Sequence, residues 1–99
     1  MSIVRFVDEH QPGVVECEFT DANRTVHTLI DKVPIFSFEN LSNDSVYPQP
    51  GLARCEVLSR SQDPQGHKLA RVTIARPDGL ESNRGLSEFV VLESQVSGI

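Results

Sequence analysis

The string Gln11-Pro12-Gly13-Val14-Val15-Glu16-Cys17-Glu18 is almost rewritten 38 residues later as Gln49-Pro50-Gly51-Leu52-Ala53-Arg54-Cys55-Glu56. Five of the eight positions are identical, and the two after glycine are apolar in both copies. Each copy joins a Pro-Gly break to a run of alternating character. Pro-Gly interrupts regular structure, and period-two alternation marks a strand with one face buried. In the first copy Val15, Cys17 and Phe19 share a face opposite Glu16 and Glu18; in the second Ala53, Cys55 and Val57 lie opposite Arg54 and Glu56. A chain that opens two of its segments this way is built from antiparallel hairpins. The repeat suggests a duplicated hairpin in which both thiols are matched core positions.

The remaining patterning agrees. Residues 3–7, Ile-Val-Arg-Phe-Val, form a short β-branched and aromatic run ended by a turn at 8–13. Asp21-Ala22-Asn23-Arg24 reads as a tight turn, with Asn23 suited to positive φ. A two-residue loop at Ala22 and Asn23 sets Phe19 against Val26, Cys17 against Thr28 and Val15 against Ile30, with His27 outside beside Glu18. Asp63-Pro64-Gln65-Gly66 is the second hairpin turn, pairing Val57 with Val72 and Cys55 with Ile74. Strands are expected near 3–7, 14–20, 25–31, 52–60, 67–75 and 87–92. Pro34 keeps 32–38 extended, so Phe36 and Phe38 share a core face. At most one short helical turn fits near 39–46, and the tail from Glu93 is expected to fray. No window shows sustained helical periodicity. The expected fold is one all-β domain over residues 1–99, a small antiparallel barrel of about six strands, since closure hides sheet edges.

Composition narrows function by exclusion. With 38% hydrophobic and 23% charged residues the chain can fold as a soluble domain rather than remain disordered. It has no apolar run near the roughly 20 residues a membrane helix needs, and residues 1–9 lack the features of a signal peptide. A bacterial-type cytoplasmic protein without membrane association is expected. The 14 acidic residues exceed the 9 basic ones, giving −5, which disfavours nucleic acid and suits a basic protein partner.

Chemical motifs are sparse. The cysteines have no Cys-x-x-Cys or His-x-x-x-His context, so neither a metal nor any other cofactor is expected. A thiol-dependent enzyme needs a thiolate beside a base, and the register above points Cys17 and Cys55 inward and His27 outward. No phosphate-binding glycine loop occurs. Two features remain for binding. One is the carboxylate set Glu16, Glu18 and Glu56 on outward strand faces. The other is the Pro-rich approach Asp44 to Gly51, where Asp44, Tyr47 and Gln49 would present a fixed polar surface, tyrosine being favoured at interfaces. The expected function is non-catalytic binding of another protein, in its concrete form an immunity or antitoxin-like inhibitor that covers a basic toxin domain. The alternative is a small-ligand-binding or accessory module of a larger complex. The protein would be a monomer, or a dimer through an edge strand at 3–7 or 87–92.

Overall fold

The computed structural model describes residues 1–9 and 13–96. In chain order the elements are β1 (Ser2–Asp8), β2 (Val14–Thr20), β3 (Val26–Lys32), the helical turn α1 (Val33–Phe36), β4 (Gln49–Pro50), β5 (Glu56–Gln62), β6 (Lys68–Thr73) and β7 (Glu88–Leu92), then a 3-10 turn at Glu93–Gln95. Every ladder is antiparallel. The strands form two sheets, ordered β3-β2-β1-β4 and β5-β6-β7. The protein is therefore mostly β with little helix, as alternation and turn spacing required. A closed barrel is not shown: the sheets touch through single backbone bonds, from Ala22 N–H to the Val90 carbonyl and from Asn83 N–H to the Thr28 carbonyl, each 2.9 Å.

Both sheets feed one core. Ile3, Val15, Cys17 and Leu29 enter from the first sheet, and Ala70, Val72, Phe89 and Val91 from the second. Phe36, Val33, Leu41, Ile74 and Leu80 fill in from the connections.

The β2–β3 register is one residue away from the expected pairing. Cys17 faces Leu29 and Phe19 faces His27. A one-residue slip inverts the faces of a strand, so His27 is buried while Val26 and Ile30 are 52% and 46% exposed. The cause is the loop. Asp21 N–H bonds the Thr25 carbonyl at 2.9 Å, leaving three loop residues rather than two. Asp21 Oδ1 accepts the Asn23 and Thr25 amides at 2.8 and 3.0 Å. Positive φ falls on Arg24, at 65°, and not on Asn23. The acidic side chain ties the backbone into this loop, and that outweighs the better apolar match of the two-residue alternative.

The same loop recurs twice. Asp63 Oδ1 accepts the Gln65 and His67 amides at 3.0 and 2.8 Å, with Gly66 at φ 88°. Ser82 Oγ accepts the Arg84 and Leu86 amides at 3.2 Å each, with Gly85 at φ 77°. In the second hairpin Val57 does pair with Val72, as expected. A register shift between Val57 and Ser59 absorbs the extra loop residue. Residues 52–55 carry no ladder, so Cys55 lies before β5 rather than opposite Ile74 in a strand pair.

Two further expectations are corrected. Residues 33–36 form a helical turn, because Pro34 falls in its first turn, where its missing N–H costs nothing. Phe36 is thereby fully buried while Phe38, beyond the turn's end, is 96% exposed; the absence of helix at 39–46 stays within the expected limit of one short turn. The tail does not fray over 93–96: Gln95 Nε2 donates to the Thr20 carbonyl at 2.8 Å, and Val96 packs on the core. β4 covers β1 only at Ser2 and Ile3, so among the described residues no strand pairs with 4–7 on that side. The turn expected at Gln11-Pro12 lies outside the described residues. Among the described residues no helix is long and apolar enough to cross a membrane.

Candidate functional site

The carboxylates singled out above do not make one row. Glu16, on β2, is half-buried and accepts a hydrogen bond from Arg5 Nη2 at 3.0 Å. Glu18 sits two residues along the same face, opposite Ser2 and Thr28. Glu56 opens β5 in the other sheet and accepts from Arg76 Nε at 2.7 Å. Two of the three are thus paired with arginine on their own sheets' surfaces.

The loop residues divide similarly. Tyr47 turns back on its own segment and donates its hydroxyl to the Ser42 carbonyl at 2.6 Å. It braces the connection rather than facing outward. Gln49 is half-buried in β4, opposite Ile3 of β1. Asp44 is exposed in the turn that precedes Tyr47.

The thiols are unlike each other. Cys17 is fully buried, and burial pushes its pKa up to about 12. Cys55 is half-buried, and burial raises it too. Neither environment favours the thiolate that nucleophilic chemistry requires. His27 is buried rather than outward, wedged between Phe19 and Phe89 with ring centroids 5.2 and 4.6 Å away. Its Nε2 lies 2.8 Å from Asp21 Oδ2. Burial pushes the Asp21 carboxyl up, but hydrogen bonds from His27 and from the Thr25 and Asn23 amides outweigh it and hold the carboxyl below its ordinary value. This pair anchors the β2–β3 turn against β7. His67 forms a surface counterpart, Nδ1 3.0 Å from Asp63 Oδ2. Among the described residues no three His, Cys, Asp or Glu side chains converge as a metal site.

A concavity lies elsewhere, where the chain leaves α1. Phe6, Val33 and Leu41 supply its apolar wall, Phe38 stands at its rim, and Glu9 and Glu39 carry its charge. The volume is about 490 Å³. Its lining includes two carboxylates and no lysine or arginine among the described residues. Asn43 Nδ2 donates to Glu9 Oε1, closing one side. Glu39 makes no ion pair among the described residues, and its backbone N–H is taken by Ser37 Oγ at 3.0 Å. Sequence reasoning missed this site because alternation assigned Phe38 to the core. The available signal was Pro34, which permits a first helical turn and so breaks the alternation between 36 and 38.

No protein-family model matches the chain, and no curated protein or solved structure matches it either.

Proposed function

We propose that this chain is a non-catalytic protein-binding domain whose contact surface is the connection from Ser37 to Pro48, and whose partner is basic. The observation that carries the reading is Phe38, 96% exposed, with Val46 80% exposed on the same connection. Large apolar side chains presented outward in this way mark interaction surfaces when they gather on one segment. The connection is held at both ends. Leu52 N–H bonds the Phe36 carbonyl and Gly51 N–H bonds the Met1 carbonyl, each at 2.9 Å. A braced surface loses less entropy on binding than a loose one. Glu39 and Asp44 on the same segment, within a chain of net charge −5, give the surface its preference for a basic partner. An inhibitor of a basic toxin domain, acting in the cytoplasm, is the concrete form of the proposal.

The small-ligand alternative calls for an apolar cavity with unpaired polar groups inside it. Among the described residues no buried side-chain polar atom lacks a partner, and the cavity's Glu9 and Glu39 are exposed, which suits contact with a partner surface better than an enclosed ligand.

Affinity capture from the source organism, with immobilised wild-type protein beside a Phe38→Ser, Val46→Ser variant, tests the proposal. A partner of high isoelectric point retained only by the wild type is the expected result. Equal retention by both proteins, or retention of acidic proteins only, would overturn it. Both substitutions replace exposed side chains, so thermal melting should coincide for the two proteins.

A further inference from the structure

We propose that the cavity between β1 and the Ser37–Pro48 connection is a socket for a single arginine side chain of the partner. The inference rests on the protein-binding reading and says what that surface grips. Three observations combine. The wall of Phe6, Val33 and Leu41 can cover the aliphatic stem of a long side chain. Phe38 and Phe6 both line it, and a guanidinium stacks on aromatic rings more readily than an ammonium does. Glu9 and Glu39 then supply the countercharge, and among the described residues no lysine or arginine lines the cavity.

Other ligands fit less well. An acidic side chain would meet two carboxylates with no lysine or arginine beside them among the described residues. An aliphatic one would leave the Glu39 carboxylate at the mouth without a counterion. A concavity of about 490 Å³ has room for one arginine side chain. Arginine is also among the residues that dominate binding energy at interfaces. The socket would thus be an anchor point, with Phe38 at its apolar rim.

The experiment uses N-acetyl-arginine amide as probe and two-dimensional amide NMR of the full chain as readout. Shifts should gather at Phe6, Glu39, Leu41 and Asn43, saturating with a dissociation constant on the order of 1 mM, as expected for a ligand of this size. Glu39→Gln and Phe38→Ala should each weaken the probe about fivefold or more, and 0.5 M salt should weaken it in the wild type, as for any solvent-facing ion pair (~3–5 Å screening length). N-acetyl-glutamate amide should produce no shifts there. The proposal is overturned if N-acetyl-leucine amide binds as tightly as the arginine probe, if the shifts fall elsewhere, or if none appear at about ten times the expected constant. Partner capture that depends on Phe38 and Val46, without arginine binding, removes the socket and leaves the protein-binding reading. Arginine binding without any captured partner does the reverse.

Discussion

Asp21→Ala tests most directly how the two sheets are held together. The substitution removes the acceptor for two loop amides, at 2.8 and 3.0 Å, and the partner of His27 Nε2 at 2.8 Å. The amides are near the surface, where water replaces the lost acceptor, so each contributes toward the low end of about 0.5–1.5 kcal/mol. His27 is different. It is 7% exposed between two phenylalanines, and a buried polar group left without a partner costs about 1–3 kcal/mol. The sum is about 3 kcal/mol, measured by urea unfolding with unchanged slope. Asp63→Ala supplies the control, since it deletes the same pair of loop bonds beside a histidine that is 59% exposed, and it should cost less than half as much. Acid adds a second arm. Because the folded Asp21 carboxyl lies below its ordinary value, its contribution is present above the unfolded pKa of about 3.9 and is lost as pH falls through the lower folded value. The wild type should lose stability relative to Asp21→Ala only below about pH 4. Equal costs for the two aspartates would refute the reasoning, because it rests on burial of His27 and not on the loop.

Three further measurements bear on the fold. Arg24→Gly relieves positive φ at the only non-glycine residue of that kind among those described, and should raise stability by about 0.5–1 kcal/mol in thermal or urea unfolding, net of glycine's extra chain entropy. Gly51→Ala should destabilise by about 1–3 kcal/mol, because the added methyl would lie 2.6 Å from Ile3 Cγ1 in the core; an unchanged unfolding midpoint would contradict the packing. Thiol labelling of the folded protein near pH 8 should modify Cys55 well before Cys17, whose thiol is buried and held protonated up to about 12; mass spectrometry of the labelled peptides distinguishes the two.

Much of the fold was legible because strand alternation and turn chemistry are local. Val14 to Thr20 and Glu88 to Leu92 announce themselves by pattern, and the Val57–Val72 pairing followed from the Asp63 turn. The β2–β3 register was not legible from side-chain matching, which prefers Val26, Thr28 and Ile30 inside. It is decided by Asp21 capturing two amides of its own loop, and Asp63 and Ser82 do the same at the equivalent loop positions. An Asp or Ser opening each of three loops was the signal present in the sequence. Division into two sheets depends on where residues 52–55 leave the ladder, which no local pattern encodes. The candidate site was the least legible. Glu16 and Glu56 look free in sequence, but Arg5 and Arg76 lie 11 and 20 residues away along the chain and reach them only after folding. Phe38 looked like core for want of one helical turn.

The repeated Gln-Pro-Gly now has a physical account that needs no shared function. β1 is flanked by the strand that follows the first copy and by the short strand that contains the start of the second. A Cβ on Gly13 would come within 2.5 Å of Phe6 Cζ, and one on Gly51 within 2.6 Å of Ile3 Cγ1. Neither glycine has positive φ. Both are required because a side chain of β1 lies directly over the backbone, which only glycine allows without displacing it. The cysteines then diverge, Cys17 sealed inside a strand and Cys55 half-buried before one. What the two copies have in common is a close passage beside β1, and the second passage fixes the far end of the connection that presents Phe38. Widening it with Gly51→Ala should therefore disturb the Ser37–Pro48 surface as well as the core, so the same variant should lose binding to the arginine probe along with stability.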